Sequence, residues 1–477
     1  MLFNSIEFFV FLPIVFVLYW FVTAKYLKAQ NLLIAIASYV FYGWWDWRFL
    51  SLIAFSSIID YTIGLLLQRT EVKSKRKALL WISICVNLGF LGFFKYYNFF
   101  IQSLVDSFTL LGQPLSINSL NIILPVGISF YTFQTLSYTI DVYNKKLEPT
   151  KDFIAFSAFV SFFPQLVAGP IERATNLLPQ FYSKRVFKYD LAINGMRQVL
   201  WGLFKKVVIA DNCAKYANII FNNYEDYSGS TLVLGAFFFA FQIYGDFSGY
   251  SDIAIGVSRL FGFDLKRNFA FPYFSRDIAE FWRRWHISLS TWFRDYLYIP
   301  LGGSRGGIKM KLRNTFIIFI VSGFWHGANW TFIVWGALNA IYFLPLLLTN
   351  KNRVNTNIVA EGKYLPSFKE IRQMAITFFI TLIAWVFFRA DSVTHAFLYL
   401  KGIFSSSLFS YFEIFPVTIL SLLLFFIIIE WLGRNSEFAI ENVDFMNKPI
   451  RWGFYVGLIV LMFAYTGEQQ EFIYFQF

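Results

Sequence analysis

Apolar runs without Asp, Glu, Lys or Arg recur along the whole 477-residue sequence. A helix that crosses the hydrocarbon core of a bilayer needs about 20 mostly apolar residues, and several runs approach or exceed that length. Because the runs are continuous rather than alternating, and because backbone groups in lipid must be satisfied within the protein, helices are favoured over strands. We predict an all-α, polytopic integral membrane protein with about ten to twelve membrane helices. The runs cover residues 8–24, 31–45, 79–94, 107–140, 153–171, 227–245, 314–350, 373–388, 414–429 and 452–467.

The low content of charged residues excludes a water-soluble globular fold. Only 15% of the residues are charged, against roughly a quarter in soluble domains. The formal net charge of +12 lies mostly in connecting segments, such as residues 69–77, where five basic residues stand against one Glu. We predict that this segment faces the cytoplasm, that membrane lipid is the partner of such basic segments, and that the protein has no nucleic-acid partner.

The domain organisation is predicted to be simple. The sequence shows no internal repeat, low-complexity tract or appended soluble domain, so we predict a single membrane domain over residues 1–477. The first run, 8–24, lacks a basic segment before it and a small-residue cleavage site after it. We therefore expect it to be a retained first helix rather than a signal peptide.

Two of the runs are too long for one straight helix. At 1.5 Å per residue, the run 314–350 would extend about 55 Å, well beyond the hydrocarbon core. We expect it to turn or break near Gly327, Ala328 and Asn329. The run 107–140 contains glycine and proline residues that should divide it into a loop and a span.

Residues 275–313 differ most from their surroundings, because they combine aromatic residues at helical spacing with eight basic and three acidic residues. We predict an amphipathic helix with tryptophan anchors, suited to an interface or to the mouth of a cavity. The charges alone agree equally with a cytoplasmic surface helix on anionic lipid and with a site for the phosphates of an acyl donor. In the second case Arg283, Arg284 and Arg294 are the candidate donor-binding residues. The aromatic stripe consists of Phe281, Trp285, Leu289, Trp292 and Tyr296.

His326 lies within the longest uncharged run of the sequence. An imidazole at membrane depth must find a partner or face a water-filled cavity, and intramembrane ionisable groups are functional-site candidates. Gly323 and Gly327 form a small-xxx-small face that lets a backbone or a substrate approach closely. The alternative is a packing histidine bonded to a neighbouring helix. For His286, a supporting role is as well founded as a direct one, and we predict His395 to be a surface residue.

Asp246 follows an apolar run and should lie near membrane depth, where carboxylates are rare and usually paired. It could belong to a substrate cavity or orient a histidine, but a structural pair with an arginine is slightly favoured. Asn329 is a further candidate for binding substrate or donor. Cys85 and Cys213 lie in or beside apolar stretches without metal-ligand spacing, so we predict two buried free thiols and no metal site.

Six stretches carry a recognisable pattern: ASYVFYGWWDWRF from Ala37, ILPVGISFYTFQTLSYTIDVY from Ile123, FPQLVAGPI from Phe163, YGDFSGYSDIAIG from Tyr244, EFWRRWHISLSTWFRDYLYIPLGG from Glu280 and GFWHGANWTFIVWG from Gly323. On these residues the chain resembles the membrane-bound O-acyltransferase (MBOAT) family, specifically its bacterial branch of alginate O-acetylation proteins and peptidoglycan O-acetyltransferases. The last two stretches are the most specific. The region after Pro345 resembles the family only loosely.

This resemblance implies a bundle of membrane helices around a central funnel, with an active-site histidine deep inside. His326, in the WHGA stretch, matches the essential catalytic histidine of the family, and His286 matches its second polar residue. The resemblance also implies acetyl-CoA as the donor substrate, no bound cofactor, and a polysaccharide acceptor. Systems of this family often finish the transfer with a periplasmic esterase-like partner, and we expect one here.

We therefore expect an O-acetyltransferase that spans the bacterial cytoplasmic (inner) membrane several times and modifies alginate, peptidoglycan or another exopolysaccharide. His326 would act as a general base or as a transient acetyl carrier. The main alternative is an exporter of D-alanyl or other acyl groups to teichoic acid. A secondary transporter is a further alternative, although transporters usually contain internal repeats, and a scaffold for polysaccharide secretion is another.

Overall fold

The computed structural model describes residues 1–467, 470, 472 and 473, which form helices, turns and loops. The all-α prediction is confirmed for this part of the chain. The single domain over 1–477 stays a prediction. The chain divides into two compact units, Met1–Ala192 with Val257–Leu265, and Ile193–Gly256 with Lys266–Phe477.

The first unit contains long apolar helices joined by shorter ones. Three of its helices enclose Asp60, which is fully buried and accepts hydrogen bonds from Ser83, from Asn87 Nδ2 at 2.8 Å and from Thr139 Oγ1 at 2.8 Å. Because buried polar groups need partners, this network joins the helices that carry these residues. The helices of the unit are α1 (Ile6–Val17), α2 (Leu27–Asp46), α3 (Leu50–Arg69), α4 (Lys73–Leu91), α5 (Tyr97–Leu110), α6 (Ile128–Tyr143), α7 (Phe153–Ser161) and α8 (Ala174–Leu177).

The run 107–140 is divided as predicted. A loop separates the end of α5 from the start of α6. Gly127 makes the turn into α6 with a φ of 74°, and an added Cβ there would lie 2.8 Å from the carbonyl oxygen of Leu166. Both the left-handed conformation and the close backbone approach require glycine at this position.

Several of the helices are continued by short segments of different pitch. The remaining helices are α9 (Tyr189–Phe204), α10 (Asp211–Asn222), α11 (Gly229–Leu260), α12 (Ile278–Arg284), α13 (Ile287–Phe293), α14 (Gly307–His326), α15 (Trp330–Leu348), α16 (Phe368–Arg389), α17 (Val393–Ile403), α18 (Val417–Leu432) and α19 (Lys448–Ala464). The π-helical segments are Leu18–Val22, Gly92–Tyr96, Lys205–Ala210 and Arg294–Tyr298, and the 3₁₀ segments are Trp47–Phe49, Leu178–Phe181, Tyr224–Asp226, Pro272–Phe274 and Ser406–Phe409.

α14 and α15 form a tightly packed helical hairpin. The predicted break of the run 314–350 is confirmed, because α14 ends at His326 and α15 begins at Trp330. An added Cβ at Gly323 would overlap the carbonyl oxygen of Phe332. The small residue therefore lets the two backbones approach closely, as predicted from its spacing with Gly327.

Among the residues that the structure describes, five helical stretches are long and apolar enough to cross a membrane, judged by length and composition. Large apolar side chains on these stretches, such as Ile58 and Trp81, are exposed, which suits contact with lipid. The number of about ten to twelve membrane helices and the central funnel stay predictions. The stretches are Leu27–Arg69, Lys73–Leu110, Gly229–Leu260, Trp330–Leu348 and Phe368–Arg389, and the shorter apolar helices are Ile6–Val22 and Val417–Leu432.

The prediction of one amphipathic helix within residues 275–313 is wrong. α12 and α13 are separated at Trp285 and His286, and His286 is left-handed, with φ of 44° and ψ of 55°. The helix breaks because the N–H groups of Ile287 and Ser288 are donated to Asn268 instead of to helical carbonyls. Most of the predicted aromatic stripe is buried rather than interfacial: Phe281, Trp285, Leu289 and Trp292.

The cysteine prediction is half right. Cys213 is a buried free thiol as expected, but Cys85 is exposed. Cys85 lies on α4, which is largely exposed along one face and presents Trp81 and Ile82 outward. An apolar stretch of sequence therefore predicts lipid exposure here, rather than burial in the protein.

Candidate active site

His326 is the last residue of α14, and only 3% of its surface is exposed. Aromatic rings from three helices enclose the imidazole. The ring centroids of Trp325, Trp335 and Phe388 lie 5.0, 5.1 and 5.3 Å from that of His326. These contacts fix the orientation of the ring and keep bulk water from most of its surface.

The structure brings His286 to His326. Their ring centroids are 6.4 Å apart, although the two residues are forty positions apart in the sequence. His286 is 1% exposed and packs edge to face against Phe247, with centroids 4.6 Å apart. The two histidines singled out from the sequence therefore belong to one buried site.

His286 is oriented by Asn268, a residue that the sequence analysis missed. Nδ1 of His286 lies 3.1 Å from Oδ1 of Asn268. The same oxygen accepts hydrogen bonds from the backbone N–H of Ser288 at 3.2 Å and from its Oγ at 2.9 Å. His286 lies outside the helical stretches that are long and apolar enough to cross a membrane. Burial lowers the pKa of its imidazole to about 3. The ring is therefore neutral at ordinary pH.

Three tryptophans form a wall beside the histidines. The indoles of Trp335 and Trp385 are stacked, with centroids 5.9 Å apart, and Trp385 also contacts Trp285 at 5.1 Å. All three are almost completely buried. Because the wall combines residues from α15, α16 and the break before His286, it ties the two histidines to the same rigid packing.

Arg283 and Arg284 are engaged within the protein. Arg283 donates to the backbone oxygens of Asn352 and Asn355 at 2.8 and 2.6 Å. Arg284 pairs with Glu280 at 2.8 Å. Both guanidinium groups thus hold the segments around α12 together, and their role in donor binding stays a prediction.

Arg294, the third predicted arginine, lines a cavity of about 490 Å³. Lys311 and Arg353 also line it, so three basic side chains meet around one space. Arg294 is paired with Asp295 at 2.7 Å, which partly neutralises its charge. Sequence reasoning missed Lys311 and Arg353 because only the packing of α13, α14 and the loop after α15 brings them together. Apolar residues complete the lining, among them Phe319, Phe343 and Leu347.

The remaining predicted site residues have structural partners. Asp246 is buried and forms an ion pair with Lys206 at 2.7 Å, and its other oxygen accepts the N–H of Ile473. The structural pair expected for Asp246 is therefore present, but with a lysine in place of an arginine. Asn329 caps α15 by accepting the N–H of Thr331 at 3.0 Å. The binding roles of both residues stay predictions.

His395 makes its described contacts with residues other than His286 and His326. It is half-buried, rather than a surface residue as predicted, because its ring stacks on Tyr224 with centroids 4.6 Å apart. Its imidazole also lies 3.7 Å from Asp391. These partners account for its burial at the start of α17.

Comparison with known proteins gives consistent similarities. Residues 150–388 match the membrane-bound O-acyltransferase (MBOAT) family. This range contains Asn268, His286 and His326. A probable alginate O-acetylase, AlgI, of Pseudomonas aeruginosa is 42% identical over 409 residues, 85% of this chain and 75% of that protein. The peptidoglycan O-acetyltransferase of Helicobacter pylori is 36% identical over 432 residues, 84% of this chain and 79% of that protein. The teichoic acid D-alanyltransferase of Bacillus subtilis is 28% identical over 233 residues, 46% of this chain and 58% of that protein.

Proposed function

This chain belongs to the membrane-bound O-acyltransferase family, and we propose that it transfers acetyl groups from cytoplasmic acetyl-CoA to hydroxyl groups of a polysaccharide outside the cytoplasm. The polysaccharide is of the alginate or peptidoglycan type, since the relatives that match most of the chain carry those names. The enzyme resides in the bacterial cytoplasmic membrane as one domain whose helices surround a central funnel.

The observation that carries this proposal is the approach of two buried histidine rings, with centroids 6.4 Å apart. In the proposed step, His326 takes the proton of the acceptor hydroxyl while the oxygen attacks the thioester carbonyl carbon. The tetrahedral intermediate then expels the thiolate, and His326 returns the proton to the sulfur. The products are an acetyl ester and the free thiol, so protons and charge balance.

The cavity beside α14 supports acetyl-CoA as the donor. Lys311 precedes His326 by fifteen residues on the same helix, which corresponds to roughly 22 Å along the helix axis. A donor that places its phosphates at Arg294, Lys311 and Arg353 must therefore be extended to reach His326 with its thioester. The pantetheine arm of acetyl-CoA has this extended form, and basic side chains suit its phosphates.

The acceptor approaches the histidines from the opposite side of the membrane in this proposal. The acetyl group reaches the polymer directly or through a periplasmic esterase-like partner that passes it on. D-alanyl transfer to teichoic acid is the second candidate, because D-alanyltransferases match part of the chain. Acetyl transfer is favoured, since the O-acetylating relatives match a larger share of the chain at higher identity.

Substitution of His326 tests the proposal. In cells that carry only the variant, His326→Ala should reduce the ester-bound acetate released from envelope polysaccharide by mild alkali to the background level. His395→Ala is the matched control, since it removes a histidine outside the site and should leave acetylation near normal. Normal acetylation by a His326→Ala protein that is present in the membrane would refute the catalytic assignment. A transporter or a scaffold would not need this imidazole.

A further inference from the structure

The side chain of Asn268 is fully buried and uses both ends of its amide. Oδ1 accepts from Ser288 twice and lies 3.1 Å from Nδ1 of His286. Nδ2 donates to Oγ of Ser251 at 3.1 Å. The backbone oxygen of Asn268 also accepts the N–H of Ile287 at 2.9 Å. Asn268 is thus bonded to the two residues that follow His286 and to its ring.

These bonds determine the tautomer of His286. The backbone N–H of Ser288 can only donate, so the amide atom that faces it must be the oxygen of Asn268. Nδ1 of His286 faces the same oxygen and must therefore carry a hydrogen. In the neutral ring this leaves the lone pair on Nε2.

We propose that Asn268 is a positioning residue that holds His286 in the Nδ1–H tautomer, the tautomer in which Nε2 carries the lone pair and can act as hydrogen-bond acceptor toward the acceptor hydroxyl. The inference rests on the proposed acyl transfer at His326. With this assignment, His286 helps to orient the hydroxyl while His326 removes its proton, and His286 itself neither gains nor loses a proton.

The backbone of His286 agrees with such a positioning role. With φ of 44° and ψ of 55°, His286 lies in the left-handed region, which is strained for a residue that has a Cβ. Such strain persists where the surroundings determine the conformation, and it concentrates at functional sites. Here the four bonds to Asn268, one from Ile287, two from Ser288 and one from the His286 ring, supply that constraint.

The neutral amide of Asn268 also matters for charge. A carboxylate at position 268 would keep the hydrogen bond to Nδ1 but would stabilise the imidazolium, and so would raise the pKa of His286. His326 is a titratable side chain in ring contact with His286. Arg284, two residues earlier, directs its guanidinium to Glu280 and to the carbonyl of Ala270. Asn268→Asp therefore tests the role of the amide with little change in shape.

The tautomer can be read directly by ¹⁵N NMR of the histidine-labelled full-length protein in lipid vesicles. The chain has only three histidines, so spectra of His286→Gln and His395→Gln variants assign the signals. At pH 7 we expect His286 to be protonated at Nδ1 and unprotonated at Nε2. In Asn268→Asp, the ring should become doubly protonated as the pH falls from 8 to 5, whereas in the native protein it should stay neutral over that range.

Kinetics in the same vesicles give the second readout, with acetyl-CoA as donor and alginate or peptidoglycan oligosaccharides as acceptors. Asn268→Ala should lower kcat on the order of 10- to 100-fold, because the orientation of a group in the proton-transfer site is lost, while KM for acetyl-CoA changes little. Asn268→Asp should move the acidic limb of the kcat profile upward by at least one pH unit. Asn31→Ala, which removes another buried asparagine bonded to Phe181 and Arg185, is the control and should leave the profile unchanged.

The two proposals fail in different ways. Either of two results would overturn the role of Asn268, even if His326→Ala is inactive. One is a native His286 ring protonated at Nε2. The other is an Asn268→Asp protein in which His286 titrates as in the native protein. Full activity of His326→Ala would instead overturn the proposed function. The NMR readout needs no turnover, so the tautomer assignment is decided in either case.

Discussion

The imidazole of His326 packs edge to face against the indole of Trp335, with ring centroids 5.1 Å apart and planes at 87°. Trp335 is itself almost completely buried and stacks on Trp385. This geometry places the positive edge of one ring against the negative face of the other, which favours a single orientation. The position of the catalytic candidate thus depends on a chain of aromatic contacts as well as on its own helix.

Shortening Trp335 should therefore impair turnover. We expect Trp335→Ala to lower kcat for acetyl transfer roughly tenfold or more, because a misplaced imidazole loses its alignment with the reacting atoms. Trp335→Phe keeps an aromatic ring at this position and should retain most of the activity. The measurement is acetyl transfer from acetyl-CoA by purified protein in lipid vesicles.

Exposed Trp81 on α4 provides the control for the tryptophan series. Trp81→Ala should leave kcat within about twofold of the native value, since surface changes away from a site have small effects. A Trp335→Ala protein that is folded and fully active would show that the aromatic wall does not orient His326.

Gly323→Ala should destabilise the α14–α15 hairpin. The new Cβ would overlap the carbonyl oxygen of Phe332, so the helices must separate, at a cost of about 1–3 kcal/mol. Thermal unfolding in detergent, followed by tryptophan fluorescence, should show a lower midpoint. Gly453→Ala, on α19 where an added Cβ meets open space, is the matched control. A midpoint for Gly323→Ala equal to that of the control would contradict the close-packed hairpin.

The features that can be predicted from the sequence are those that depend on a local sequence pattern. A run of 37 residues without a charge is too long for one span, and the break at Gly327–Asn329 lies where small and capping residues occur. His326 is identifiable because an ionisable ring is costly in such a run. The motif that begins at Glu280 identifies His286. Its contact with His326, in contrast, results from the packing of separate helices.

Asn268 and the break at His286 could not be predicted in this way. The aromatic residues from Phe281 to Trp292 satisfy helical spacing, which predicts one helix. The structure interrupts that helix because Asn268, eighteen residues before His286, takes the N–H groups of the next turn. A tertiary hydrogen bond from a residue without a motif overrides the periodic pattern. Lys311 and Arg353 could not be predicted as cavity residues because only the packing of helices and a loop brings them together.

Removal of a cavity cation should weaken donor binding without slowing the chemical step. We expect Lys311→Ala and Arg353→Ala each to raise KM for acetyl-CoA roughly five- to thirtyfold, because a charged hydrogen bond to a phosphate contributes about 1–2 kcal/mol. The kcat at saturating donor should stay within about twofold. Steady-state kinetics at several salt concentrations provide the measurement, and the effect should diminish at high salt.

Lys309, on the same helix but exposed and outside the lining of the cavity, supplies the matched control. Lys309→Ala should leave KM for acetyl-CoA unchanged. If Lys311→Ala and Lys309→Ala raise KM equally, the effect is a general one of surface charge, and the cavity is not the donor site.

The buried neutral ring of His286 should make the stability of the protein depend on pH. Burial lowers its pKa from 6.5 to about 3 in the folded state, so between these values the unfolded chain binds more protons at this position than the folded protein does. Stability contributed by this residue is therefore present above pH 6.5 and declines as the pH falls toward 3. Between pH 7 and pH 5 the loss is roughly 2 kcal/mol at most.

We expect the unfolding midpoint of the native protein to fall more steeply over this interval than that of His286→Asn, in which the titrating group is absent. The comparison requires thermal unfolding of both proteins in the same detergent at each pH. Parallel slopes for the two proteins would mean that His286 is not held neutral by burial, and would remove the physical basis for its proposed role as a hydrogen-bond acceptor.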